Sequence, residues 1–214
     1  MRAPRSDFFD LCGVRDVSFW PMHRQELSRV AGGDTQAKDL GPALWQASFT
    51  TSPALIRDAQ AIEAALISLK GSIGSFLAHD IRRPFPKLYP SGDFSDTGEI
   101  AEVFPGNAFL LRLGGLTPGF ELSPGDYLSF ENGDGPSRAL HMITGVLGPS
   151  MTADALGVTH AFEVFPMVRA GATPGAAVTL KRPSCEMILD PGQEPPRLVD
   201  LVASSVTFSG VQIF

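Results

Sequence analysis

One segment of the chain carries the hydrophobic periodicity of an amphipathic helix. Its apolar residues recur at steps of three and four and form a single stripe: Leu55, Ala59, Ile62, Leu66 and Leu69. Ser52 and Pro53 are residue types that begin helices, and Gly71 suits the left-handed position after a helix. The spacing therefore predicts a helix over 53–70, and no other segment carries a helical signal of similar strength.

Elsewhere in the first half, apolar residues occur at every second position or in short runs, as in β-strands. The strongest example is Ala43–Thr50, in which Trp45, Ala47 and Phe49 occupy alternate positions. Shorter candidate strands lie on either side of the predicted helix: Val17–Trp20, Gln25–Val30 and Gly74–Asp80. The stretch from Pro84 to Gly106 holds four prolines and several small polar residues, so we interpret it as a long connection.

After Asn107 the chain changes to short strands separated by tight turns, of which Asn132-Gly133-Asp134-Gly135 is the clearest. The candidate strands are Phe109–Leu113, Tyr127–Phe130, Arg138–Val146, His160–Val168, Ala177–Lys181 and Glu186–Leu189. Five or six short strands in roughly 80 residues predict a small closed barrel.

The order of these elements predicts the domain organisation. Proline-rich stretches at 84–106 and 191–196 bracket the barrel, and the apolar end of the chain, Val206–Phe214, needs a sheet to join. We predict an α+β fold that is mainly β with one long helix. A first domain over 1–95, completed by 197–214, holds the helix, and 104–190 forms an inserted small β-barrel.

Composition narrows the classes of function. Hydrophobic residues make up 43% of the 214 residues, which is enough to build a core. The net charge of −6 and the lack of a basic stretch argue against a nucleic-acid partner. No apolar run approaches the ~20 residues that span a bilayer, and no signal-peptide pattern follows Met1, so we expect no membrane partner and synthesis in the cytoplasm. Cys12 and Cys185 form no CxxC motif, which predicts two buried thiols.

The histidines show no arrangement that predicts a metal site. His23, His79, His141 and His160 lack the HxH and HExxH spacings. His79 and Asp80 are neighbours on a predicted strand, so they point to opposite faces and do not form a local catalytic pair. His141 lies in the middle of a predicted barrel strand, where a structural role is expected.

Two further groups resemble catalytic or binding motifs only superficially. The carboxylates of Asp93, Asp96, Glu99 and Glu102 lie close together in a polar stretch that we interpret as a solvated loop. The glycine-rich run over 71–75 follows the predicted helix, whereas a phosphate-binding loop precedes one. We therefore predict a protein that is not an enzyme, with no catalytic residues, no metal ligands and no cofactor.

Aromatic residues gather in the predicted N-terminal strands: Phe19, Trp20, Trp45 and Phe49. Such residues form a buried core or, alternatively, anchor a subunit interface. On the second interpretation, Trp20 and Trp45 are candidate residues of an oligomer interface.

Three stretches in a fixed order carry a resemblance to a known family. The first is the strand 44–49 leading into 56–64 of the predicted helix, and the second covers 69–77 and 80–84. The third begins with 122–130 and continues in 152–157, 164–169 and 175–178. Together they resemble the distal tail proteins of long-tailed bacteriophages and of gene-transfer-agent-like particles.

The resemblance implies a β-rich "belt" domain with an inserted β-barrel. It implies a homo-oligomeric ring, typically a hexamer, at the virion tail tip between the tail tube protein and the hub or baseplate. Members of this family are structural proteins without catalytic residues or cofactors, so no site residue is implied here.

Two alternatives remain open at the level of sequence. A carbohydrate-binding module of β-barrel type would call for exposed aromatic residues in the barrel, yet the predicted barrel contains no Trp and a single Tyr, Tyr127. A cell-wall hydrolase would require a His or Cys beside a carboxylate in a cleft.

Overall fold

The computed structural model describes residues 4–29, 32–95, 97–133, 138–148, 150–191 and 203–213. Some of the predicted features fall outside the described residues. They are Val30, Asp96, residues 134–135 of the predicted turn, residues 192–196 of the second proline-rich stretch, residues 197–202 and Phe214. The helices are α1 (Phe8–Cys12) and α2 (Ile56–Ser68), with a 3-10 turn over Gly71–Ile73. No helix in the described ranges is both long and apolar enough to cross a membrane.

The described residues form fifteen strands. Those that precede the barrel are β1 (Val14–Met22), β2 (Gln25–Arg29), β3 (Thr35–Asp39), β4 (Leu44–Thr51), β5 (Ala54–Leu55) and β6 (Ser75–Ala78). The next six are β7 (Gly98–Val103), β8 (Leu110–Gly114), β9 (Tyr127–Glu131), β10 (Arg138–Val146), β11 (Phe162–Phe165) and β12 (Ala177–Thr179). The last three are β13 (Cys185–Leu189), β14 (Ala203–Ser204) and β15 (Thr207–Gln212).

Five strands form an antiparallel sheet in the order β1-β4-β15-β13-β6. The alternation predicted for β4 is confirmed, because Trp45, Ala47 and Phe49 are buried while the residues between them are half-buried. The buried face joins α1 and α2 in one core that is rich in aromatic rings, including Phe8, Phe49, Phe76 and Phe208. The apolar end of the chain joins this sheet as β15.

The longer helix is shorter than the sequence predicted. It covers 56–68 rather than 53–70, because Ala54 and Leu55 pair with β14 and Leu55 is exposed. It ends where Lys70 and Gly71 both take a positive φ. The buried stripe of Ala59, Ile62, Leu66 and Leu69 is confirmed. The fold is mostly β, but the described residues contain two helices, so the prediction of one long helix was wrong.

The second half of the chain builds a closed barrel in the strand order β10-β11-β8-β7-β12-β9. Its core is largely aliphatic, with Ile100, Leu111, Leu113 and Ile143 fully buried. The barrel strands run from residue 98 to residue 179, which differs from the predicted 104–190 at both ends. Strand β7 lies in the stretch interpreted as a connection, and β13 belongs to the five-stranded sheet.

The barrel packs through its outer surface onto the buried face of the sheet. Tyr127 on β9 and Leu140 on β10 belong to the same hydrophobic core as Trp45. The indole Nε1 of Trp45 donates a hydrogen bond of 2.8 Å to the Leu140 carbonyl. The sheet therefore has one face covered by helices and barrel.

Strands β2 and β3 extend the hairpin formed by β1 and β4. Among the described strands they pair only with each other, and all ten residues of the two strands are exposed. An isolated two-stranded hairpin is marginally stable in water. This arm is therefore the part of the described chain with the least support of its own.

Candidate functional site

The two candidate interface residues have opposite environments. Trp45 is completely buried and is held by its bond to Leu140, so the prediction that it anchors an oligomer interface was wrong. Its burial follows from its place on the covered face of β4. Trp20 is 70% exposed on β1 and remains a prediction as an interface anchor.

The opposite face of the sheet carries short hydroxyl side chains in register. Ser18, Ser48 and Ser209 lie side by side on β1, β4 and β15. In the neighbouring row, the hydroxyls of Thr50 and Thr207 are 3.2 Å apart. These residues are exposed or half-buried, so this face, which we call the hydroxyl face, meets solvent.

A cavity of about 430 Å³ lies where the free edge of β1 meets the barrel. Four consecutive residues, 18–21, line one side of it. Because successive side chains of a strand point to opposite faces, a run of four places the backbone edge of β1 along the cavity. The far side is formed by the barrel residues Tyr127, Met142 and Phe165. We call this cavity the edge groove.

Two arginines line the edge groove, and they differ in whether a carboxylate binds them. Asp80 is 2% exposed and accepts hydrogen bonds from the backbone N–H of Arg82 at 3.0 Å and from its Nε and Nη2, both at 2.9 Å. This hydrogen bonding raises the pKa of Arg82 above its ordinary value. Arg83 instead lies 5.9 Å from the centre of the Tyr127 ring and donates to the Gly125 carbonyl at 3.4 Å. No described carboxylate lies within 4 Å of the Arg83 guanidinium.

A second cavity, of about 380 Å³, lies beside the edge groove. Arg82 and Arg83 line both cavities, and Lys87 lines only the second. The carboxylate of Asp126 at its wall turns inward, because it accepts backbone N–H bonds from Lys87 and Ser123, both at 2.8 Å. Burial raises the pKa of Asp126. No described carboxylate lies within 4 Å of the cation of Arg83 or of Lys87.

The titratable residues considered from the sequence are dispersed. His79 packs against the Phe9 ring at 4.6 Å, and burial lowers its pKa. Its neighbour Asp80 is committed to Arg82. His141 is 2% exposed with Nδ1 2.7 Å from the Pro166 carbonyl, and burial lowers its pKa to about 4. A structural role for His141 therefore agrees with its environment.

The cysteines and carboxylates complete the predicted set. Cys12 and Cys185 are buried free thiols, as predicted, and burial raises the pKa of both. Asp93 is exposed and Asp96 lies outside the described residues. Glu99 and Glu102 belong to β7, not to a loop, and Glu102 pairs with Arg112 at 3.2 Å.

Sequence reasoning missed the edge groove. Its residues come from β1, the turn after β6 and the barrel, so no local spacing connects them. The only signal in the sequence is the adjacent pair Arg82-Arg83 between a strand and a proline-rich stretch.

The described residues contain no cluster of three or more His, Cys, Asp or Glu side chains that could hold a metal ion. No protein-family model matches the chain, and no curated protein is detectably similar to it.

Proposed function

We propose that the protein is a structural subunit of a virion tail tip, forming the distal tail ring that joins the tail tube to the hub or baseplate. The observation that carries this proposal is the difference between the two faces of the five-stranded sheet. One face is packed under aromatic residues, helices and barrel, whereas the other carries the rows of hydroxyls on β1, β4 and β15.

A hydroxyl face suits the wall of a water-filled channel. Serine and threonine side chains are short, uncharged and able to bond water, so the rows that present them stay wet without narrowing the channel. Trp20 lies on the same face, one row beyond Ser18. A ring of such sheets would place this face toward the axis and the barrels outward. The ring is a homo-oligomer, and the family resemblance gives six copies.

The region 1–50 supplies surfaces for a neighbouring copy. The hairpin of β2 and β3 projects with all ten of its strand residues exposed, and Trp20 offers a large aromatic side chain at the end of β1. A hairpin of this kind gains stability when a neighbour covers it. The charge of −6 on every copy opposes association, so the ring closes on the tube or hub as a template.

Imaging of native particles tests the proposal. The producing strain carries a small tag at the N-terminus of the protein, and the tail tip is reconstructed by electron cryo-microscopy. We expect several copies in a closed ring between tube and hub, with β1, β4 and β15 facing the axis. A single copy per particle, or copies without mutual contact, overturns the ring. A ring whose channel is lined by the barrels retains the ring and overturns the assignment of the hydroxyl face.

A further inference from the structure

The edge groove is bounded by a strand that has hydrogen-bonding capacity to spare. Strand β1 is the last strand of its sheet among the described residues, so the backbone groups of alternate residues face away from β4. The N–H of Trp45 points to Gln212 and not to β1, so its partner Pro21 lies in the outward set, in which Phe19 offers both an N–H and a C=O and Pro21 offers only its C=O. A free edge of this kind is a template for another extended chain. The run 18–21 offers about 13 Å of edge at the ~3.3 Å rise of a strand residue.

The floor of the edge groove fits an apolar side chain. Phe19 from the sheet and Met142 and Phe165 from the barrel line it. An extended segment that paired with β1 would direct every second side chain toward this floor.

The two arginines at the groove favour a ligand that carries a negative charge. Arg82 is held in place by Asp80, which leaves its Nη1 outside those bonds. The guanidinium of Arg83 lies on the Tyr127 ring without a described carboxylate within ion-pair distance. Arginine forms its strongest hydrogen bonds with carboxylates. In a chain with a net charge of −6, this is a local site for negative charge.

We propose that the edge groove binds an extended peptide segment of a partner protein by strand addition to β1. The segment carries an apolar residue and, two positions along, a glutamate or aspartate, so that both side chains lie on one face. The apolar side chain fills the floor between sheet and barrel, and the carboxylate binds Arg83 beside Arg82. The inference concerns a single subunit and is tested on the free protein, because Trp20, which the ring proposal assigns to a neighbouring copy, also lines the groove.

Synthetic heptapeptides test the pattern on the full-length protein. The probe SVTLTES places Val, Leu and Glu on one face of a strand, whereas SVTLETS moves the Glu to the other face and SVTLTQS removes its charge. Backbone amide shifts are followed by NMR during titration of each peptide. We expect SVTLTES to shift the amides of 17–20, and each of the other two peptides to bind about tenfold more weakly, which is the size of one charge-assisted hydrogen bond.

Backbone methylation separates strand addition from simple surface contact. Two versions of SVTLTES are N-methylated at alternate positions, one set at the odd residues and the other at the even residues. Only one set of amides faces β1 in a strand pair. One version should therefore lose binding and the other keep it.

Variants of the protein test the charged wall. Arg83→Gln should weaken SVTLTES about tenfold and leave SVTLTQS unchanged. The matched control is Arg57→Gln on α2, whose side chain is 87% exposed and lies outside the groove. Circular dichroism confirms that both variants fold.

Three results would overturn the proposal. The first is the absence of peptide-induced shifts at β1, and the second is equal binding of SVTLTES and SVTLETS or of both methylated versions. The third is broadening of the β1 amides with rising protein concentration and no peptide, which would assign the edge to a second copy of this chain.

Discussion

The sheet and the barrel solve the problem of strand edges in different ways. All six barrel strands pair on both sides, come from a continuous part of the chain and enclose a mostly aliphatic core. The sheet draws its strands from both ends of the chain around aromatic rings, and it keeps a free edge at β1 and an open hydroxyl face. The barrel is therefore complete in itself, whereas the sheet has surfaces left for partners, and both proposals fall on the sheet.

The largest effect should come from cutting the chain at the two alternative barrel boundaries. A fragment over 97–183 contains all six barrel strands, so we expect it to fold with dispersed amide signals. A fragment over 104–190 lacks β7, which removes Ile100 from the core and leaves β8 and β12 with unpaired edges. We expect this second fragment to give collapsed amide dispersion.

The same pair of fragments also tests whether the barrel folds without the sheet. If both collapse, the barrel depends on the sheet that contacts Tyr127 and Leu140, and it is not complete in itself. If both fold, β7 is dispensable and the closed barrel is not what stabilises this region.

Truncation of Trp45 should destabilise the sheet more than the barrel. The side chain is fully buried and also bonds to Leu140, so we expect Trp45→Ala to cost about 3–5 kcal/mol of unfolding free energy. Urea denaturation gives the total, and hydrogen exchange shows which amides lose protection. The control Leu111→Ala removes a fully buried barrel residue and should have the reverse distribution.

Acid should act on the barrel through His141. Burial lowers its pKa from 6.5 to about 4, so the unfolded chain takes up the proton first as pH falls. Its contribution to stability is complete above pH 6.5 and is lost progressively between pH 6.5 and 4. The loss amounts to about 3 kcal/mol at ~1.4 kcal/mol per pKa unit.

Replacement of the imidazole checks this assignment. His141→Asn keeps a side-chain donor but does not titrate, so the stability of this variant should fall less steeply between pH 6.5 and 4. The control Gln25→Asn, at an exposed position on β2, changes no titratable group and should keep the wild-type slope. Equal slopes in all three proteins would remove His141 as the cause.

Local patterns in the sequence predicted the elements better than their assembly. The stripe from Ala59 to Leu69 and the alternation in β4 both describe one face of one element, and both are confirmed. Strand β7 was not predicted from the sequence. It follows three prolines, and its register shifts between Ile100 and Glu102, which interrupts the alternation of its buried residues. Helix α2 begins at residue 56 and not at 53, because β5 pairs with β14, almost 150 residues away in the sequence. No local pattern reveals such a pairing.

The candidate site was less predictable for the same reason. Trp20 and Trp45 look alike in sequence, but they lie on opposite faces of paired strands, so one is exposed and the other buried. The edge groove depends on three distant segments and on β1 lying at the end of its sheet. A single sequence contains the alternation of β1 but not its place in the strand order.

The smallest effect on stability, and the most informative for function, is expected from Trp20→Ala. The indole is 70% exposed, so its removal should change the free energy of unfolding by no more than about 0.5 kcal/mol. An aromatic anchor buried at an interface contributes about 2 kcal/mol or more, which is roughly a 30-fold loss of affinity at each contact. Ring assembly on purified tube or hub should therefore fail while the monomer melts normally. Leu156→Ala removes a side chain that is 84% exposed on the barrel, and it should assemble as the wild type does. Normal assembly of Trp20→Ala, or equal loss in both variants, would show that the exposed end of β1 is not where neighbouring copies meet.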